Sequence, residues 1–133
     1  MVHMSETRPM KWTDLPPQAT IDAMISAMKA RGFNVVIAKT KAEALQTMKG
    51  LIPAGAEVMT GSSTSLYQVG FMEYYLSGKT PWKCIGPIVY NEKDPTRQLE
   101  LRRKSDAAEF FVASVNAIAE TGELVACDRS GSR

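Results

Sequence analysis

Apolar side chains recur along this chain at two spacings, and the alternation between them predicts the order of elements. After Pro16-Pro17, which stiffens the entry to a helix, Ile21, Met24, Ile25 and Met28 follow the i, i+3, i+4, i+7 spacing of one buried helical face. Gly32 stops that helix. Phe33 to Ala38 is a short β-branched run between turn signals, which fits a parallel strand covered on both faces. Thr40 and Glu43 have the spacing of a capping box, so a second helix starts there and turns Ala44, Leu45, Met48 and Ile52 to the core. Pro53-Ala54-Gly55 ends it. Glu57-Val58-Met59-Thr60 is then a short strand that runs into Gly61-Ser62-Ser63-Thr64-Ser65, after which Leu66, Val69 and Gly70 resume helical spacing.

Past Gly78 the pattern turns irregular, and Cys84 to Tyr90 reads as a strand broken by Gly86-Pro87. Asp94-Pro95 is a cap and first-turn pair for a helix through Ser105. That helix carries Arg97, Arg102, Arg103 and Lys104, a charge run that more often marks a solvated face than a binding patch. Glu109 to Ser114 is the next strand, apolar through Phe110-Phe111-Val112-Ala113. Glu120-Thr121-Gly122-Glu123 then reads as the turn of a hairpin joining Asn116-Ala117-Ile118 to Leu124-Val125-Ala126-Cys127. Helices and strands thus alternate from Pro17 to Ser114, and short strands separated by amphipathic helices need crossover connections. The expected fold is α/β, three-layered, with a mainly parallel sheet. Residues 1–15 are expected to be a flexible segment before a single domain over 16–133.

Composition narrows the function classes. At 133 residues with 44% hydrophobic side chains the chain can bury one core. A net charge of +2, from sixteen Lys and Arg against fourteen Asp and Glu, gives no field that would hold nucleic acid or an anionic membrane. No apolar run approaches the roughly 20 residues that span a bilayer, and the N-terminus lacks the apolar stretch of a secretory signal, so a cytoplasmic location is expected. Cys84 and Cys127 stand far apart and outside any C-x-x-C spacing. Neither a zinc nor an iron–sulfur site can be built from these thiols alone, and both read as small buried residues. His3, in a terminus expected to fray, is not a catalytic candidate. The residues name no cofactor.

Two tracts could carry chemistry. Gly61-Ser62-Ser63-Thr64-Ser65 lies between a strand and a helix, where free N–H groups and hydroxyls can seat a phosphate or carboxylate. The same residues also read as an N-cap with a Gly-assisted turn. The second tract runs from Ser114 to Arg133, at the exit of a strand, where open α/β sheets place ligand-binding groups. Glu120, Glu123 and Asp128 are candidate bases or hydroxyl ligands, and Arg133 is a candidate clamp for a carboxylate or phosphate. A solvated surface hairpin is the competing reading for Glu120 and Glu123, while Asn116 and Asp128 lie close to strand ends.

Together the two tracts resemble the LUD domain family, named for lactate utilisation. Its Gly-Gly-Ser-x-Thr-Leu loop is matched by Gly61-Ser62-Ser63-Thr64-Ser65-Leu66, followed by Gly70 in the helix. Its Ser-Val-Asn-Ala-Ile signature is matched by Ser114-Val115-Asn116-Ala117-Ile118, followed by Thr121-Gly122-Glu123-Leu124-Val125. Asp128-Arg129-Ser130-Gly131-Ser132-Arg133 then stands where the family has Asp-Gly-x-Gly-Asn-Arg. Ser62 replaces a usual Gly and adds a side chain where a ligand would approach the backbone, and Arg129 and Ser132 replace a Gly and an Asn. Family members generally continue past this Arg with another strand and helices, so a fragment lacking part of the sheet is expected.

The resemblance implies a fold like that of the NagB, ribose-phosphate isomerase and CoA-transferase group, with the ligand site at strand ends. It also implies a role in oxidising L-lactate to pyruvate beside partner proteins that hold iron–sulfur clusters. On this reading the chain is an accessory subunit that binds a small organic anion or a partner surface through Gly61, Ser62, Ser63, Thr64, Ser65, Asn116 and Arg133, possible homo-oligomers included. The alternative is a stand-alone enzyme for a phosphorylated or CoA-linked small molecule, with Ser63 and Ser65 holding the anion and Glu123 or Asp128 moving a proton.

Overall fold

The computed structural model describes residue 11 and residues 13–128. These fall into two compact units: the chain up to Val35 together with Ile118–Glu123, and Val36–Ala117 together with the residues from Leu124 onward. Most of the segment expected to be flexible, 1–15, lies outside the described residues.

The first unit is built on α1 (Gln18–Ala30), entered through Pro17. The predicted stripe is covered, with Ile21, Met24 and Ile25 half-buried and Met28 buried, and Thr20 and Ala27 are half-buried beside it. The helix ends in the two bonds of a Schellman motif: the Gly32 N–H donates to Lys29 C=O at 3.0 Å and the Phe33 N–H to Met28 C=O at 3.1 Å. The hairpin tip belongs to the same unit. There the Ala119 N–H donates to Glu123 C=O and the Gly122 N–H to Ala119 C=O, both at 2.9 Å. Gly122 is buried with φ +89, and a Cβ at that position would stand 2.9 Å from Ala27 C and Met28 N, so only glycine lets this turn lie on α1.

The second unit opens with Val36-Ile37-Ala38, which pairs with no strand. This corrects the expected strand over Phe33–Ala38: Phe33, Val36 and Ile37 are exposed rather than covered on two faces. A strand is a property of its partner, and the β-branched side chains of this run name none. α2 (Lys41–Leu51) follows, capped as its sequence predicts, with the Glu43 N–H donating to Thr40 Oγ1 at 3.1 Å. The returning Glu43 carboxylate accepts from the Lys39 N–H, one residue earlier than in the usual capping box. β1 (Glu57–Thr60) forms as expected. The helical pattern after it splits at Gly70, whose φ of +80 separates α3 (Thr64–Gln68) from α4 (Phe71–Leu76).

Of the next expected strand, Cys84 to Tyr90, only Cys84 is β, in β2 (Lys83–Cys84), and Gly86–Asn91 is a helix, α5. Pro87 sits in its first turn, where a missing N–H costs nothing, so the dipeptide read as a breaker is instead a start. α6 (Pro95–Ser105) begins as predicted, with the Asp94 carboxylate accepting from the Thr96 and Arg97 N–H groups. β3 (Phe110–Val112) is shorter than the apolar run suggested. β4 (Ala117–Ile118) and β5 (Leu124–Val125) form the expected hairpin as a minimal two-stranded ladder.

The sheet has the order β2-β1-β3 and is parallel throughout, with Val58 opposite both Cys84 and Phe110 and Thr60 opposite Val112. The fold is α/β. On one face Val58 packs with Ile52, Ala56, Leu66, Phe71, Met72, Tyr75 and Trp82, and Phe110 and Val112 close onto this cluster. Phe111, of opposite parity, is 45% exposed, so β3 is open on one face where cover on both was expected. Inside the core the Trp82 indole N–H donates to Ile52 C=O at 3.1 Å, whereas the buried Thr60 Oγ1 has no hydrogen-bond partner among the described residues. At about 1.5–3 kcal/mol for each large side chain fully buried, this cluster carries most of the stability. Among the described residues of the first unit only Met28 is a buried hydrophobic.

Candidate functional site

Because β1, β2 and β3 are parallel, their carboxyl ends share one edge of the sheet, and the chain leaves that edge through Gly61, Ile85 and Ala113. Crevices at such edges are where open α/β sheets hold ligands. The Gly61 N–H extends the β1–β3 ladder by donating to Val112 C=O at 3.0 Å. A Cβ on Gly61 would lie 3.3 Å from Ala113 Cβ and 3.5 Å from the Phe111 ring, so the two exits run close together.

Ser63 is 3% exposed and caps α3, its hydroxyl accepting from the Leu66 N–H at 3.2 Å. The same hydroxyl donates to Ser114 Oγ at 2.8 Å, tying the loop after β1 to the residue that follows β3. The capping and ligand-seat readings of this loop therefore meet in one atom: Ser63 is spent on structure, and the donor it passes on is the half-buried Ser114 hydroxyl. Gly61 is buried, while Ser62, Thr64 and Ser65 are exposed around it.

A second connection braces the edge from inside the core. The Tyr75 phenol, 1% exposed, donates to Val58 C=O at 2.8 Å and accepts from the Gly86 N–H at 2.8 Å, joining α4, β1 and the start of α5. Burial pushes this phenol up from 10 to about 12, with Cys84 and Tyr90 adding to the rise and the Gly86 N–H opposing it. A Cβ on Gly86 would stand 2.9 Å from the Tyr75 oxygen, so glycine there is required by the contact.

The C-terminal tract divides. In the second unit the Asn116 N–H donates to Val125 C=O at 2.9 Å and its side-chain Oδ1 accepts from the Cys127 N–H at 2.8 Å, so this residue fastens the hairpin base. Asp128 is half-buried. Cys127 is exposed and Cys84 half-buried, where both were expected to be buried. In the first unit the Glu123 carboxylate accepts from the Arg31 guanidinium and from the Thr121 hydroxyl, while Arg31 Nε donates to Thr121 C=O at 2.9 Å. The Thr121 hydroxyl first, and then the Glu123 backbone N–H, hold this carboxyl below its ordinary range, with the Arg31 charge acting in the same direction. Arg31 and Glu123 are each about half exposed, 46% and 47%. Glu120 is exposed. Arg133, expected to clamp the ligand, lies outside the described residues.

The structure thus brings together Gly61 and Ser63 with Ser114, and adds Tyr75 and Gly86 as the brace behind them. Ser114 was legible as the end of an apolar strand and the first residue of the second tract, but not as a ligand residue. The signal for Tyr75 was its polar atom on an apolar helix face, which demands a partner when buried. A shallow, open depression lined by Pro87, Ile88, Asn91, Glu92 and Lys93 contains none of the expected ligand residues. Among the described residues no three His, Cys, Asp or Glu side chains are grouped to hold a metal ion, and no helix is long and apolar enough to cross a membrane.

Comparison with known proteins finds no significant match among curated proteins or among solved structures. A family model, the LUD domain, matches residues 21–133, which takes in both units and both signature tracts. The chain belongs to the LUD domain family.

Proposed function

We propose that this chain is an accessory subunit of a system that oxidises L-lactate to pyruvate, and that it binds a small organic anion at the carboxyl edge of its parallel sheet. One observation carries the reading: the Ser63 hydroxyl, having accepted from Leu66, donates to Ser114, which leaves the Ser114 O–H as the terminal donor at that edge. A carboxylate or a 2-hydroxyl is the acceptor such a donor serves. Exposed Thr64 and Ser65 supply further hydroxyls on the same loop. Arg133 is the proposed counter-charge, and the proposed layering follows the NagB, ribose-phosphate isomerase and CoA-transferase group.

Oxidation of lactate removes two electrons and two protons, and the chain's two cysteines are too few to ligate a cluster that would accept those electrons. Iron–sulfur partner proteins are the proposed acceptors. A stand-alone enzyme that moves a proton through Glu123 is the weaker reading, because its carboxylate is engaged by Thr121 and Arg31 and made less basic, which leaves Asp128 alone in that role.

Titration calorimetry with L-lactate, pyruvate, inorganic phosphate and CoA tests the proposal. Lactate or pyruvate should bind, and Ser114→Ala should weaken binding by roughly tenfold or more, the loss of one hydrogen bond to a charged group at about 1.5–3 kcal/mol. Binding of phosphate or CoA with no response to either acid would transfer support to the alternative. Equal affinity in wild type and Ser114→Ala would remove the proposed site.

A further inference from the structure

Two segments of the second unit, β3 with one unpaired edge and the run 36–38, carry complementary orders of side chains. β3 is a terminal strand of its sheet, its outer edge unpaired among the described residues, and Phe111 within it is 45% exposed. Val36-Ile37-Ala38 belongs to no ladder, its backbone N–H and C=O groups find no partner among the described residues, and Val36 and Ile37 are 59% and 55% exposed. An open edge is a template for another strand, and exposed β-branched residues are the side chains a strand prefers.

Laid antiparallel with Ile37 opposite Phe111, the run places Val36 opposite Val112, Ala38 opposite Phe110 and Lys39 opposite Glu109. The period of two then sets Ile37 and Lys39 on one face, against Phe111 and Glu109. Apolar residues meet apolar ones and the ammonium meets the carboxylate. Neither Lys39 nor Glu109 has an ion pair among the described residues. A parallel register with the same central pair would put Lys39 opposite Ala113 and Val35 opposite Glu109, which leaves both charges unmatched. An antiparallel strand added to the edge of a parallel sheet is a common arrangement.

We infer that the chain forms a two-fold dimer in which residues 36–39 of each copy add as an antiparallel strand to the outer edge of β3 in the other. The exchange is reciprocal, as closed two-fold symmetry requires, and it satisfies backbone groups that the single chain leaves unpaired. It is independent of the proposed anion site.

Sedimentation velocity of the full chain over the micromolar range is the test. Wild type should be dimeric. Ile37→Pro, which removes one ladder N–H from a residue whose backbone has no hydrogen bond among the described residues, should be monomeric with unchanged circular dichroism. Lys39→Glu and Glu109→Lys should each raise the dissociation constant by on the order of tenfold, and the two together should restore it. A monomeric wild type, a dimer indifferent to Ile37→Pro, or charge reversals whose effects add without restoration would each overturn the inference. Should Ile37→Pro fail to fold, the charge exchange decides alone.

Discussion

Replacing Tyr75 with Phe removes one oxygen from the most buried part of the chain, and the structure says what that should cost. The ring stays where it is, stacked near Phe71 with centroids 6.1 Å apart, so no cavity of consequence opens. What is lost is a shared partner: the Gly86 N–H loses its acceptor, while Val58 C=O gives up one of two donors and keeps the Ile85 N–H at 3.0 Å. A buried polar group left unsatisfied costs about 1–3 kcal/mol, so the orphaned Gly86 N–H should cost that much, a sizeable fraction of the roughly 5–15 kcal/mol that holds a domain of this kind folded. With a urea dependence of about 1–1.5 kcal/mol per molar for a small domain, the unfolding midpoint should fall by about 1–2 M. Trp82, in contact with Phe71 at 5.8 Å between centroids, reports the transition by fluorescence. The phenol also gives an alkaline signature. Its folded value, near 12, exceeds the unfolded value of 10, so the folded state keeps the proton longer. That contribution is full below pH 10 and disappears as pH rises through 12. Wild type should therefore lose stability between these values more steeply than Tyr75→Phe. A midpoint shift under about 0.3 M, well below the least expected from a single orphaned group, would refute the reasoning.

Two further outcomes concern the hairpin tip. Gly122→Ala should destabilise the tip by about 1–3 kcal/mol, since it forces a side chain into φ +89 and against the backbone of α1, and faster amide exchange at Ala119 than in wild type would show it; unchanged exchange would contradict the packing. The Glu123 carboxyl, held below its ordinary 4.5, contributes stability that is present above that pH and lost as pH falls through the folded value. Carbon-detected titration should find Thr121→Ala moving Glu123 back toward 4.5 further than Arg31→Met does, and the reverse order would assign the effect to charge instead of the hydroxyl.

Helix starts were the most legible part of the chain, because a cap is decided by neighbours three residues apart. Thr40 with Glu43 and Asp94 with Pro95 both begin helices where their spacing says they should. β1 was equally clear, since a strand in the middle of a sheet has to be apolar whichever partners it takes. Phe33–Ala38 shows the limit of this logic: its residues prefer β, yet propensity names no partner, and the run pairs with no strand although the outer edge of β3 is unpaired among the described residues. Gly86-Pro87 failed for a different reason, since the same dipeptide ends one element and starts another. At the site, the loop after β1 was visible from its hydroxyls. The partner that gives Ser63 its second bond is 51 positions away, and no local spacing announces it.

The core has a further consequence for how the chain reaches its fold. Every buried member of the main cluster lies between Ile52 and Trp82, residues that also share a hydrogen bond thirty positions apart. Closing a loop of that size costs little chain entropy, and its contacts are local enough to form early. β1, α3, α4 and β2 should therefore assemble as one cooperative unit before β3, α1 and the hairpin are added, and their amides should be the last to exchange in the native protein.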